Sequence, residues 1–328
     1  MSEDVEVLTP AEEVQAQLNK LKLSLDAAIT YRLPTVFAKI SGWGAKGEIK
    51  RRAKLIQQVE PTLKKMLMPK EEVLYVAKGT QSSTSEALFM GAYWAAMMNQ
   101  TVFVLTNLRI LMLRSKGNGK PTHTFWVLYY NEIDLFQPNW SGAMKLKLKD
   151  GKKLTFTGFP KLDRKAMPTI FQDALDNYRK LNFHPTVSQS RENLCSHCFQ
   201  VVPKARYACR NCGSVFWTPK ELALRSLIFP SWGDICMKHY QFAAVELIGY
   251  LFSWLWAISI LIGPNPEEGW FVLAMIFIFA HPVDGMLTYS VAKKGLSPRH
   301  GPDAARALAE QSADTDEGDE ELLEAEEA

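Results

Sequence analysis

Two apolar runs, AAVELIGYLFSWLWAISILI (243–262) and WFVLAMIFIFAHPVDGMLTY (270–289), constrain this chain more than any other feature. Each has about the ~20 residues that a helix rising ~1.5 Å per residue needs to cross the hydrocarbon of a bilayer. Only the short segment GPNPEEG separates them, so together they predict a helical hairpin. Lys238 and His239 precede the first run and Lys293, Lys294 and Arg299 follow the second, while the segment between holds Glu267 and Glu268. Lys and Arg collect on the cytosolic side of membrane proteins, so this asymmetry predicts both termini in the cytosol and the loop outside. A buried helical pair in a soluble protein is the alternative; Trp254, Trp256 and Trp270 within such long runs argue against it. The N-terminal MSEDVEVLTPAEEV is acidic and polar, without the apolar core of a signal peptide, and predicts that the N-terminal part is not exported.

A chain of 328 residues, 47% apolar and 22% charged, is long enough for two or three compact units beside the hairpin. Its formal charge of +3 hides a segregation. Residues 311–328 are rich in Asp and Glu and hold no Lys or Arg, so residues 297–328 read as an acidic disordered tail and the rest of the chain is strongly basic. A basic body suits nucleic acid or anionic lipid, and charge alone does not choose between them.

A cytosolic placement decides how the cysteines are read. Thiols stay reduced there, so Cys195, Cys198, Cys209 and Cys212, two CxxC pairs in CSHCFQVVPKARYACRNCG, predict a metal centre rather than disulfides. Each pair can bring two thiolates onto one tetrahedral Zn²⁺, and Gly213 suits the tight turn after the second pair. Four thiolates leave no vacant ligand position, which points to structural zinc and away from hydrolysis, and His197 is not needed as a ligand. A thioredoxin-like reading lacks the surrounding βαβ pattern. The rival is nucleic-acid binding, with Lys204, Arg206 and Arg210 on phosphate and Tyr207, Phe216 or Trp217 stacking on bases. Cys236 reads as an apolar filler.

Upstream, EVLYVAK, TVFVLT, LRILMLRS, HTFWVLYY, EIDLF, AMKLKLK and KLTFTGF between Glu72 and Phe159 predict seven strands. KDGK (149–152) is a hairpin turn, with Met144, Leu146 and Leu148 on one face and Lys145, Lys147 and Lys149 on the other. SKGNGKP (115–121) lacks the spacing of a phosphate-binding loop and reads as a linker. From near Pro168 the segment TIFQDALDNYRKL predicts a helix with Phe171, Leu175, Tyr178 and Leu181 or Asn182 on one buried face. The charge-free stretch Ala87–Met98 is too short to span a membrane and is expected in the core; an interfacial segment dipping into headgroups is the alternative.

The stretch TVFVLTNLRILMLR (101–114), with Thr106, Asn107 and Arg109 in a TNxR turn, resembles the bacterial pleckstrin-homology (PH) domain. The resemblance covers roughly residues 69–183 and implies a seven-stranded barrel capped by the C-terminal helix. Eukaryotic members that bind phosphoinositides use Lys and Arg on the loop after the first strand; here that loop is GTQSSTS (79–85), so that activity is not implied. The segment RSLIFPSWGD, with the two apolar runs and HPVDGMLTYSVAKKG, is similar to bacterial two-pass membrane modules that open on a Pro-Gly-x-Gly turn, with Ser231 in place of the first glycine. Leu222–Ile235, broken by Pro230, is expected along the membrane interface.

The N-terminal region, residues 1–68, predicts two helices, the second burying Ile49, Ile56, Val59, Leu63 and Met66. Its other face carries Lys46, Lys50, Arg51, Arg52, Lys54, Lys64 and Lys65, which could face an anionic leaflet. Within the hairpin, Glu246 and Asp284 lie equally far from the loop and are expected as neighbours, with His281 the nearest group to relieve their repulsion. Proton or ion handling would follow from such a site; hydration of both acids among the headgroups is the plain alternative.

The expected fold class is a multidomain α+β membrane protein: an N-terminal helical region (1–68), a PH-like domain (69–183), a four-cysteine zinc ribbon (192–219), a membrane module (220–296) with a transmembrane helical hairpin, and the tail. The expected function is a non-enzymatic scaffold with zinc as its only cofactor, held at the bacterial cytoplasmic membrane. Its expected partners are the bilayer, anionic lipid and a protein not identifiable from sequence. Nucleic-acid capture and an enzyme with a site assembled from distant residues are the alternatives.

Overall fold

The computed structural model of the chain describes residues 9–181, 190–264 and 266–304. The chain divides into two compact units, Met1–Glu192 and Asn193–Ala328.

The first unit opens with helices α1 (Pro10–Lys20), α2 (Leu33–Val36) and α3 (Ala45–Met66). A capping box starts α1: the Thr9 hydroxyl accepts from the Glu12 N–H, and the Glu12 carboxylate accepts from the Thr9 N–H. Helix α1 stops at Lys20, and Lys22 just beyond it takes a left-handed backbone (φ 53°). In α3 the buried stripe is Ile49, Ile56, Val59, Leu63 and Met66, the period-3.6 face.

Strands β1 (Val73–Gln81), β2 (Gln100–Thr106), β3 (Arg109–Ser115), β4 (Pro121–Tyr129), β5 (Ile133–Pro138), β6 (Met144–Leu148) and β7 (Lys153–Thr157) follow, with short helices α4 (Thr84–Phe89) and α5 (Ala92–Met98) between β1 and β2. All pairings are antiparallel, in the order β5-β6-β7-β1-β2-β3-β4. Gly151 supplies the positive φ (85°) of the β6–β7 turn, closed by the Leu148 N–H on the Lys152 carbonyl. Between β2 and β3 the TNxR turn fastens the sheet to the residues before β1. Thr106 Oγ1 accepts from the N–H groups of Leu108 and Arg109, the Arg109 guanidinium grips both Glu71 carboxylate oxygens at 2.9 Å, and Asn107 Oδ1 accepts from the Glu72 N–H.

The sheet is open, which corrects the expected barrel. Among the described residues no pairing closes β4 onto β5, and a 3-10 turn at Tyr130–Glu132 connects the two. Helix α6 (Lys161–Lys180) covers the sheet instead, burying Met167, Ile170, Phe171, Ala174, Leu175 and Tyr178 against a core that includes Tyr75, Phe103, Trp126 and Phe156. It starts at Lys161, earlier than expected, so Pro168 lies inside the helix rather than in its first turn. The N-terminal helices share this unit rather than standing apart: Arg52 of α3 donates to the Val76 carbonyl of β1 and to Asp163 of α6.

Strand β8 (Glu192–Leu194) falls at the boundary, and the second unit contains β9 (Val201–Val202), β10 (Val215–Trp217), α7 (Pro219–Ile228), α8 (Trp232–Cys236), α9 (Tyr240–Leu261), α10 (Pro266–Met275), a π-helical turn (Ile276–Ala280), α11 (His281–Ala292) and β11 (Ser297–His300). Residues 297–300, expected in the tail, instead pair with β10; the acidic stretch from Asp314 lies outside the described residues. Helix α7 starts on a second capping box, Thr218 with Glu221. Helices α7 and α8 pack on α11, and Leu224, Leu227, Ile228 and Phe229 remain exposed. A Cβ on Gly285 would come within 3.2 Å of the Ala223 carbonyl, and one on Gly233 within 2.5 Å of Thr288 Cγ2. The π turn precedes Pro282, which has no N–H for the helical ladder and whose ring displaces the carbonyl a turn earlier.

Candidate functional site

The four paired cysteines sit in two loops with the same hydrogen-bond pattern. The Cys195 N–H donates to the Gln200 carbonyl and the Phe199 N–H to the Cys195 carbonyl; the Cys209 N–H donates to the Ser214 carbonyl and the Gly213 N–H to the Cys209 carbonyl. Phe199 and Gly213 occupy equivalent places, and both have positive φ (57° and 74°). The first loop therefore lacks the glycine that marks the second in the sequence. Cys195 Sγ lies 3.6 Å from Cys212 Sγ, Cys198 Sγ lies 3.5 Å from Cys209 Sγ, and all four ligand atoms fall within 4.8 Å of one another. The His197 N–H donates to Cys195 Sγ at 3.4 Å. Val202, Phe216 and Leu296 pack around the sulfurs. Burial pushes the Cys195 and Cys209 thiols up; for Cys212 burial acts the same way but is outweighed by hydrogen bonds to Ser214, which draw it down to about 7. These side chains could hold one metal ion in a closed tetrahedral shell.

Two of the three aromatic residues proposed for base stacking are occupied, and Tyr207 is partly buried. Phe216 is buried in the small core, and the ring of Trp217 carries the guanidinium groups of Arg225 and Arg299 at 4.3 and 4.5 Å.

Of the basic residues on α3, Lys46, Lys50, Arg51, Lys54, Lys64 and Lys65 are exposed. Arg51 pairs with Glu48 and Lys64 with Asp26. Arg52 is the exception and corrects its expected place on a lipid-facing surface. It is 1% exposed, 2.5 Å from Asp163, and stacked over Tyr75 at 4.2 Å. The stretch Ala87–Met98 departs from expectation in the opposite direction. Gly91 (φ 83°) breaks it into α4 and α5, the Asn99 side-chain amide donates to Glu86 at their base, and Leu88, Phe89 and Tyr93 are exposed.

Two helical stretches, Tyr240–Leu261 and Pro266–Ala292, are long and apolar enough to cross a membrane, each with a mean hydropathy of 1.7. Their polar residues converge. Ser231 donates its hydroxyl to Glu246 Oε2 and its N–H to Asp284 Oδ2, both at 2.7 Å. His281 does not sit between the two acids, contrary to expectation. Its Nδ1 donates to the Leu227 carbonyl at 2.9 Å, and its Nε2 lies 2.9 Å from the Tyr250 hydroxyl.

No protein-family model matches the chain, and no curated protein matches it. Similar solved structures include the C-terminal domain of an unknown protein from Leishmania infantum, at 13% identity over 36% of this chain and 92% of that one with a TM-score of 0.25. The linker-DH/PH domains of p115-RhoGEF are similar at 9% identity over 40% of this chain and 43% of theirs, with a TM-score of 0.26. Autoinhibited Vav1 is similar at 12% identity over 59% of this chain and 41% of that one, with a TM-score of 0.25. The chain thus spans less than half of the last two, and likenesses at such scores carry no argument about fold or activity.

Asp234, on α8, is the residue that sequence reasoning missed. Its carboxylate lies within 4.8 Å of those of Glu246 and Asp284, because Pro230 and Ser231 turn α8 back toward the hairpin. Ser231 was the available signal: it takes a left-handed backbone (φ 67°), which favours glycine, and its hydroxyl reaches Glu246.

Proposed function

We propose that this chain is a membrane-anchored, non-enzymatic binding or scaffolding protein, with a PH-like unit and a zinc ribbon presented on the cytosolic side. The observation that carries the reading is the outward face of the hairpin. Ile248, Leu251, Phe252 and Trp256 on α9, with Phe271 and Ile278 on the return, form an apolar surface open to the surroundings. Water would penalise such a surface, and hydrocarbon would not. The basic residues flanking the helices and the acidic loop between them support cytosolic ends.

Zinc is the metal the four thiols fit best. A tetrahedral ion with Zn–S bonds of ~2.3 Å has sulfur–sulfur edges of about 3.8 Å, close to the 3.5 and 3.6 Å between the paired sulfurs. A complete thiolate shell orders the ribbon and offers no position for a reacting water. The exposed lysines of α3 supply an attraction to anionic lipid, and the sheet unit is the part available to a protein partner.

Extraction of membranes with alkaline carbonate tests the anchor. The full chain stays with the membranes, and a variant lacking residues 240–292 does not. Release of the full chain by carbonate would refute the reading.

A further inference from the structure

Three carboxylates from three elements meet inside the second unit: Asp234 of α8, Glu246 of α9 and Asp284 of α11. Asp234 and Asp284 are 2% and 7% exposed. Among the described residues, no Lys or Arg is bonded to any of the three; their partners are Ser231, His239 and Thr288. Carboxylates held this close repel unless one keeps its proton or a cation lies among them. A second observation points the same way. Asp284 Oδ2 is engaged by the Ser231 N–H, while its Oδ1 is buried with no hydrogen-bond partner at all. A buried oxygen of this kind lacks a donor or a cation.

We infer that Asp234, Glu246 and Asp284 form a binding site for one hard divalent cation of the Mg²⁺, Mn²⁺ or Ca²⁺ class. The donor set consists of carboxylate oxygens, which suit these ions better than zinc, whose preferred ligands are sulfur and nitrogen. The size also fits. An ion with metal–oxygen bonds of ~2.1 to 2.4 Å spans opposite oxygens about 4.2 to 4.8 Å apart, and the three ligand oxygens lie within 4.8 Å of one another. Each carboxylate is already oriented by an outer partner: Ser231 Oγ holds Glu246, the Ser231 N–H holds Asp284, and His239 Nδ1 lies 3.0 Å from Asp234. A cation there ties α8 to both apolar helices. The site needs neither the thiol cluster nor a particular membrane sidedness.

The test uses the full chain in detergent, zinc-loaded and freed of excess metal, titrated with Mn²⁺ and followed by the loss of the free-ion paramagnetic resonance signal. The expected result is about one Mn²⁺ per chain beyond the zinc, displaced by Mg²⁺ or Ca²⁺, with a rise in the thermal unfolding midpoint. Glu246→Gln and Asp284→Asn are each expected to weaken Mn²⁺ binding about tenfold or more. The zinc content of each variant reports whether it remains folded. No Mn²⁺ binding by the unaltered chain at millimolar concentration overturns the site, as does full binding retained by folded variants. If neither variant folds, the titration of the unaltered chain decides by itself.

Discussion

Arg52 illustrates what a charge requires once it is inside. Its guanidinium bonds Glu48, Asp163 and the Val76 carbonyl and lies over Tyr75, whose hydroxyl also donates to Asp163. Removing one member leaves the other uncompensated, so Arg52→Met is expected to cost about 3–5 kcal/mol. Adding Asp163→Asn should cost less than the sum of the single changes, because the pair fails together. Denaturant unfolding of the full chain measures both, and additive costs would show that the residues do not interact. Glu48 gives a pH test. Burial pushes its carboxyl up, but hydrogen bonds and charge from Arg51 and Arg52 outweigh this and hold it below its ordinary value of 4.5. The unfolded chain therefore binds the proton more tightly, so this contribution to stability is present above that value and is lost as pH falls through the lowered one. Glu48→Gln is expected to flatten the acid side of the melting-temperature profile, and an unchanged profile would remove Glu48 from the explanation. Arg52 was legible in the sequence. It stands three residues after Ile49 and four before Ile56, on the stripe that buries both, and grouping it with the lysines by charge overrode that spacing. The pairing of Glu246 with Asp284 followed from counting along two helices, whereas Asp234 did not, because counting along the hairpin does not reach α8.

Among the elements, strands and cysteine loops were the most legible. Alternation marks Met144, Leu146 and Leu148 as buried and Lys145 as exposed, which is a local property of a strand. Closure of a barrel is not local. It depends on the summed twist and curvature of seven strands, and here a 3-10 turn and α6 cover the inner face of an open sheet. The α4–α5 pair escaped for a related reason: an apolar run records composition, while Gly91 and the Glu86–Asn99 contact determine which way it faces. The cysteine loops predict about one zinc per chain. Cys209→Ser is expected to lose that zinc and leave residues 193–217 open to protease; a variant with full zinc by metal analysis would contradict the site. On α3 the exposed Lys46, Lys50, Lys54 and Lys65 are expected to draw the protein toward anionic surfaces with a strength that falls as salt rises. Co-flotation with anionic and neutral vesicles measures this. Equal binding to both would reduce that face to a solvated helix surface.

For the molecule as a whole, the hairpin decides what every other part can do. If its ends lie in the cytosol, the cysteines are reduced and can hold metal, and the basic residues of α3 share a compartment with the anionic leaflet. If its loop did not cross, the same apolar helices would need a protein partner to cover them, and the reading of the thiols would lose its support. Labelling in intact cells with a membrane-impermeant thiol reagent tests this most directly, because all five native cysteines lie outside the segment 263–269. A hairpin anchored as proposed gives no label on the unaltered chain and strong label on Glu267→Cys before lysis. Label on the unaltered chain in intact cells, or a Glu267→Cys protein that reacts only after lysis, would contradict it.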